Sequence, residues 1–326
     1  MTDIQLSICE PYYVDTDKIK NPAYTLRRLD NSGKRIYYRM LDGEPRIYTG
    51  VTSMIKATLP TSPALIEFFK KNGQDSEEIA NEAADYGTFM HIIAQQLLVN
   101  GAYDFTNLED DMRAFCVEKQ IDHKPFIKSF KDKIQKDILA FAQWVMDYRV
   151  KPITIEQVLC SDVHGFAGAI DLLCEMTIEE KGFFGETYKS GPNKGMPKET
   201  KTEKKVMAIV DFKSGRKGFW ESHEIQLLAY KRLVEQNFPD VKVEKLYNWS
   251  PKDWTSSPSY NFKDQSECKS HRKLDHLCEL YQIDNNDAGK RILIVDPIID
   301  LTAGNVGGFK EMTYYDYIKF KENERA

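Results

Sequence analysis

The chain lacks any long apolar run. Its most apolar stretches, Ile92–Val99 and Ile292–Val295, fall well short of the roughly 18 residues a membrane span needs, and no basic segment followed by an apolar one opens the sequence. A membrane partner and an export signal are therefore not expected, and a cytoplasmic location is. No two cysteines stand in CxxC spacing: Cys9, Cys116, Cys160, Cys174, Cys268 and Cys278 are scattered, so they read as reduced packing residues rather than a disulfide framework or a cysteine metal site. No Gly-x4-Gly-Lys-[Ser/Thr] phosphate loop occurs, so neither a nucleotide cofactor nor a helicase motor is expected. Neither sign of charge dominates. Lys and Arg number 45 against 50 Asp and Glu, a net −5, so any surface for a polyanion must be local.

What remains is a globular composition. The 326 residues are 41% hydrophobic and 29% charged, with 17 Phe, 17 Tyr and 4 Trp, enough for a core and for base stacking. Residues 1–50 read as a β-rich lead-in, with a hairpin from Arg35 to Thr49 around Asp42-Gly43. Residues 51–150 read as a helical portion: hydroxyl residues in Val51–Ile55 can cap a helix, further helices follow from Ala64 and Ser76, and Phe126–Tyr148 has a helical period. From 151 to 245 the pattern becomes β-like, with strands expected over Ile153–Ser161, Gly165–Met176 and Val206–Lys213, then a helix from Ser222 and a strand to Trp249. Lys189–Lys205, with six Lys against two Glu, reads as a flexible basic insertion between two of these strands. Ser250–Gln265 reads as irregular, and 246–326 as an extension packed on the core.

Chemistry concentrates in a few places. Asp211 and Lys213 are two residues apart on a strand, so both side chains leave the same face, and Gly168-Ala169-Ile170-Asp171 supplies a second carboxylate. Aspartates are hard oxygen ligands suited to Mg²⁺ or Mn²⁺, and a nearby lysine can position water or offset developing negative charge. Phosphodiester hydrolysis fits this set. Gln226 and Tyr230, four apart on a helix, share a face beside Lys213. Gly87 sits in a helix, where glycine costs about 1 kcal/mol against alanine, and precedes His91 by about one turn; such a glycine needs a packing or functional reason. Glu156 either contacts a second metal ion or is a solvated strand residue. Thr52 and Ser53 either bind phosphate at a helix N-terminus or act as ordinary caps.

In order along the chain, Gly-Thr-x-x-His (Gly87–His91), Gly-x-x-Asp (Gly168–Asp171), Asp-x-Lys (Asp211–Lys213) and Gln-x-x-x-Tyr (Gln226–Tyr230) resemble the PD-(D/E)XK nuclease superfamily. The branch is that of the bacterial recombination helicase-nuclease domain and the stand-alone phage and mitochondrial genome-maintenance exonucleases. The resemblance covers about Thr49–Glu235, and the proline that names the superfamily is Ile170 here. It implies an α/β, restriction-endonuclease-like core: a central mixed β-sheet flanked by helices, with a largely helical N-terminal portion. It implies His91, Asp171, Asp211 and the Phe212 carbonyl as ligands of Mg²⁺ or Mn²⁺. Asp171, Asp211 and Lys213 would be catalytic, with Gln226 and Tyr230 supporting them. Iron–sulfur relatives cluster three downstream cysteines, whereas Cys268 and Cys278 stand alone, so no such cluster is expected.

The expected function is a metal-dependent, ATP-independent DNA exonuclease acting on single strands or ends in replication, recombination or repair, in a bacterial or phage-infected cell. Thr52, Ser53, Lys189, Lys194 and Lys198 are its expected DNA contacts, and a recombinase, helicase or single-strand-binding protein is the kind of partner it would meet. Two other readings stay open: a structure-specific endonuclease, and a DNA-binding recombination partner without turnover. Trp249, Trp254 and Tyr260 are candidates for base stacking, with packing under a loop as their bland alternative.

Overall fold

A computed structural model describes residues 5–31, 34–182, 185–198, 200–216, 218–267, 270–285, 287, 289–296, 302 and 308–325. Cys268, one of the cysteines read as a packing residue, lies outside them. The N-terminal half contains β1 (Gln5–Ile8), β2 (Tyr13–Val14), β3 (Arg27–Asn31), β4 (Lys34–Leu41) and β5 (Glu44–Gly50), then α1 (Val51–Thr58), α2 (Pro63–Asn72), α3 (Ser76–Asn100), α4 (Leu108–Lys119) and α5 (His123–Asp147). Next come β6 (Lys151–Ser161), β7 (Phe166–Gly182), β8 (Thr200–Phe212), α6 (Glu221–Asn237), β9 (Lys245–Pro251) and β10 (Tyr260–Asp264). The chain ends with α7 (His271–Asp284), β11 (Arg291–Asp296), β12 (Gly308–Thr313) and α8 (Tyr314–Arg325). Among the described residues, no helix is long and apolar enough to cross a membrane.

The architecture is α/β, with a large mixed sheet flanked by helices. Its strands run β1-β3-β4-β5-β7-β8-β9-β10, and β6 lies on the other edge of β7 and pairs with β2. The lead-in strands are thus continuous with the sheet of the core. β4 and β5 form the expected hairpin, with Asp42 and Gly43 both left-handed at φ 51° and 80° as a tight two-residue turn requires. β8 and β9 are parallel, joined by α6 as the crossover helix.

Apolar layers cover both faces of this sheet. On one, Phe89 and Ile93 of α3 and Ile138, Phe141 and Trp144 of α5 pack against Leu172, Cys174, Val210 and Phe212. On the other, Val51 and Met54 of α1, Leu227 and Leu228 of α6 and Leu274 of α7 pack against Ile170, Leu173 and Ile209. Burying such side chains, at about 1.5–3 kcal/mol each, is what holds these helices to the sheet.

Three details of the sheet place the site. First, one edge of β7 is shared by two neighbours in tandem: β5 pairs at Phe166 and Ala167, β8 pairs from Leu172 onward, and Gly168–Asp171 lie in the gap. Second, β7 reverses its facing at Asp171, since Ile170 packs toward α6 whereas Leu172 packs toward α3 and α5. Third, β6 does the same opposite it. Ile155 and Leu159 lie on different faces, and Glu156 between them is left-handed at φ 52°. A non-glycine residue in that region stores strain of about 1–3 kcal/mol, which the surrounding pairing holds in place.

Several sequence expectations need correction. The helical portion holds one helix more than those expected, α4, whose polar, acidic first turn interrupts the apolar period. The strands around the basic insertion run on to Gly182 and start again at Thr200, so Thr200–Lys205 are strand rather than loop; their alternation is polar on both faces and gives no hydrophobic signal. Ser250–Gln265 contains β10, paired with β9. The extension does not pack on the core as one piece. β9 and β10 belong to the main sheet, α7 covers α1 and α6, and the β11–β12 hairpin and α8 pack through Ile292, Tyr314 and Ile318 on Leu29, Ile36 and Tyr38 of β3 and β4.

Candidate active site

The gap in the edge of β7 opens into a cleft of about 490 Å³, lined among others by Thr52, Ser53, His91, Glu156, Gly168, Asp171 and Tyr230. Glu156 and Asp171 face each other across the β6–β7 ladder, bracketed by Ile155↔Leu172 and Gln157↔Ile170. His91 arrives from α3. Its Nδ1 lies 3.8 Å from Glu156 Oε1, which also accepts a hydrogen bond from Gln95 Nε2 at 2.8 Å, one helical turn further on. The ligand atoms of His91, Glu156 and Asp171 all lie within 4.8 Å of one another, and these residues can hold a divalent cation.

The electrostatics suit that role. Burial pushes the Asp171 carboxyl up to about 7; His91 pulls it down, while Asp211 and Glu156 push it up. Burial opposes a charge on His91, yet Asp171 and Glu156 together hold its pKa above the usual imidazole value. A trio that strains to keep its charges in a low-dielectric cleft is one that a cation would relieve.

Beside the trio runs a buried polar chain. Lys213 Nζ donates to Asp211 Oδ1 at 2.8 Å and to Gln226 Oε1 at 3.1 Å, and Gln226 Nε2 donates to the Tyr230 hydroxyl at 2.7 Å. On the other side Asn248 Nδ2 donates to Asp211 Oδ2 at 2.7 Å and Gln265 Nε2 donates to Asn248 Oδ1 at 3.1 Å. Asp211 is 1% exposed and Asn248 fully buried, so this carboxylate survives burial only through these partners. Asp171 joins the two groups: its Oδ2 accepts the Phe212 N–H at 2.7 Å, across the gap where a ladder bond would otherwise form. The Phe212 ring in turn packs against His91, with ring centres 5.8 Å apart.

Two glycines let these parts approach. A Cβ on Gly168 would sit 2.7 Å from Tyr230 Cε1 and 3.2 Å from Val51 Cγ2, and a Cβ on Gly87 would sit 2.9 Å from Ser214 Oγ. Gly168 is thus the floor on which Tyr230 rests. Gly87 brings α3 against the loop that follows Lys213.

The structure brings together His91, Asp171, Asp211, Phe212, Lys213, Gln226 and Tyr230, all singled out from sequence. Their grouping differs from expectation. Glu156 takes the third place beside His91 and Asp171, while both oxygens of Asp211 are held by Lys213 and Asn248. Thr52 and Ser53 line the cleft from the first turn of α1, and the N-cap is Gly50, without a side-chain cap bond, so neither is an ordinary cap. Arg28 and Arg35 line the same wall; they come from the lead-in, and no local motif marks them. Lys189, Lys194 and Lys198 are not in the cleft. They fall in the connection between β7 and β8, and β7 runs on from Asp171 to Gly182 over eleven residues, about 36 Å at full extension at about 3.3 Å each. Trp249 is fully buried in the core, so it is a packing residue and not a stacking platform. Tyr260 is half-buried, with its hydroxyl on Asp147. No protein-family model and no curated protein matches the chain.

Proposed function

We propose that the chain is a divalent-metal-dependent nuclease that hydrolyses DNA phosphodiester bonds, acting as an exonuclease without ATP. The observation that carries this reading is a His–Glu–Asp trio in the cleft joined, through Asp171 and the Phe212 N–H, to an Asp–Lys pair held in place by a buried amide and phenol. A Mg²⁺ or Mn²⁺ ion held by His91, Glu156 and Asp171 would supply Lewis acidity and a bound water of lowered pKa.

The chain's own groups have separable tasks. Lys213, with a quarter of its side chain exposed and its charge felt by Asp171 and His91, can orient an attacking water or offset the charge that builds on a phosphate oxygen. Asp211 and Gln226 fix that ammonium, and Tyr230 fixes Gln226. Thr52, Ser53, Arg28 and Arg35, which also line the cleft, offer donors to the backbone of the strand being cut. The preference for an exonuclease, and for single strands or ends, rests on the resemblance to stand-alone exonucleases. A recombinase, helicase or single-strand-binding protein would supply such ends.

The test is degradation of end-labelled single- and double-stranded DNA with Mg²⁺, Mn²⁺ or EDTA, comparing wild type with Asp211→Asn and Lys213→Ala. Metal-dependent shortening lost in both variants is expected. Cutting of circular DNA would replace the exonuclease by an endonuclease. Intact linear and circular DNA under every metal would overturn the enzyme reading.

A further inference from the structure

Away from the cleft, one buried charge has no part in the chemistry so far described. Asp137, on α5, is fully buried. Its Oδ2 accepts a short hydrogen bond from the Tyr86 hydroxyl of α3, and its Oδ1 a short one from the Arg216 guanidinium. Arg216 also lies 2.8 Å, through Nε, from Asp253 of the β9–β10 connection. Lys133, one turn before Asp137 on α5, caps the outer face of the Tyr86 ring at 3.5 Å from its centre. Three segments therefore meet at one carboxylate, and a fourth joins them through Arg216.

The positions of these residues give the meeting its meaning. Tyr86 and Gly87 precede His91 by five and four residues on the same helix, about 7.5 Å and 6 Å along its axis. Ser214, packed against Gly87, and Arg216 follow Lys213 by one and three residues, in a stretch without regular structure. The apolar layer under α3 sets how deep that helix lies, but apolar contact is non-directional and does not stop it sliding along its axis. Directed bonds to a single buried acceptor do. A buried ion pair is on average no more stabilising than well-packed apolar residues of similar volume, so stability is a weak reason for Asp137 and Arg216 to be there.

We infer that Asp137 is a positioning residue which, through Tyr86 and Arg216, fixes the spacing between His91 on α3 and the Asp211–Lys213 pair at the end of β8. The inference deepens the nuclease reading and rests on it for the metal role of the cleft, but one of its readouts needs no turnover. Misplacing reacting groups by about 1 Å can slow a reaction about 100-fold without loss of binding.

The decisive variant is Asp137→Leu/Arg216→Met, which replaces the pair by apolar residues of similar size. Three quantities are measured on the full chain: thermal midpoint, Mn²⁺ affinity by calorimetry, and kcat and KM on a labelled oligonucleotide. Expected are a folded protein whose midpoint falls only by what the Tyr86 hydroxyl loses with its acceptor, Mn²⁺ affinity at least fivefold weaker, and kcat at least tenfold lower at unchanged KM. Asp137→Asn, which keeps the shape and one of the two bonds, should fall between this variant and wild type, and it replaces the double variant should that fail to fold. A folded variant with wild-type Mn²⁺ affinity and kcat would overturn the inference. Should the wild type bind Mn²⁺ without cutting DNA, a weakened affinity in the variant would still support the positioning role while the nuclease reading fails. Should the wild type not bind Mn²⁺ at all, both would fall.

Discussion

Replacing Gly168 by alanine tests the tightest contact in the site. The new Cβ would stand 2.7 Å from Tyr230 Cε1 and 3.2 Å from Val51 Cγ2, where carbon atoms normally rest about 3.5–4.0 Å apart. The tyrosine ring, 4% exposed where it lines the cleft, would have to retreat by about 1 Å. Overpacking of this kind costs about 1–3 kcal/mol. The retreat also carries the hydroxyl away from Gln226, stretching a 2.7 Å bond beyond the range of about 3.2 Å in which such bonds are effective and loosening the amide that holds Lys213. Urea denaturation should show the loss in stability, and initial rates on end-labelled DNA a loss of about 100-fold. Tyr230→Leu in the same chain makes room and should restore stability but not rate. Gly87→Ala is the control: its 2.9 Å neighbour is a serine hydroxyl that can rotate, and the helix gains about 1 kcal/mol from alanine, so stability should stay near wild type. A Gly168→Ala protein as stable and as active as wild type would refute the account of this contact.

The remaining expectations concern metal, charge and pH. Glu156→Gln should weaken Mn²⁺ binding measured by calorimetry while leaving DNA binding in EDTA unchanged. Replacing Lys189, Lys194 and Lys198 by serine should lower the salt dependence of DNA binding by up to about 0.9 log units per lost phosphate contact, read from filter binding across salt concentrations, with turnover at saturating DNA unaltered because these lysines are not in the cleft. Burial lowers the His223 pKa to about 4, and its Nδ1 accepts the Trp220 N–H at 3.3 Å, which only the neutral ring can do. The unfolded imidazole takes a proton near about 6.5, so the stability tied to this residue is present above that pH and is lost as the pH falls towards about 4. His223→Gln should flatten that part of a stability–pH curve; an unchanged slope would remove His223 from the acid response.

How much of this could be read from sequence follows from how local each feature is. Gly87–His91 and Gln226–Tyr230 each lie on one helix, and Asp211–Lys213 on one strand, so spacing alone sets the face they share. The hairpin at Asp42-Gly43 was legible for the same reason. Glu156 depends on β6 lying opposite β7 in one register and on a face reversal that simple alternation does not suggest. Asn248 reaches Asp211, and Gln265 reaches Asn248 behind it, only because β9 lies parallel to β8, with α6 between them in the chain. Asp137 was hidden in a different way: it sits on the apolar stripe of an amphipathic helix, where a charge reads as an interruption until Tyr86 and Arg216 are seen to meet it.

The sharing of one edge of β7 by β5 and β8 has a mechanical consequence. A strand that serves two neighbours end to end is a hinge pin as well as a member of a sheet. The block of β1 and β3–β5 pairs with it only at Phe166 and Ala167, steadied by Arg39, Arg46 and Tyr48, which all reach Asp162 in the turn between β6 and β7. The β8–β10 block grips it from Leu172 to Gly182. The β5 seam is the shorter of the two, and what holds it closed is the helix that follows Gly50, since Val51 and Met54 of α1 are packed into the core against Ile170.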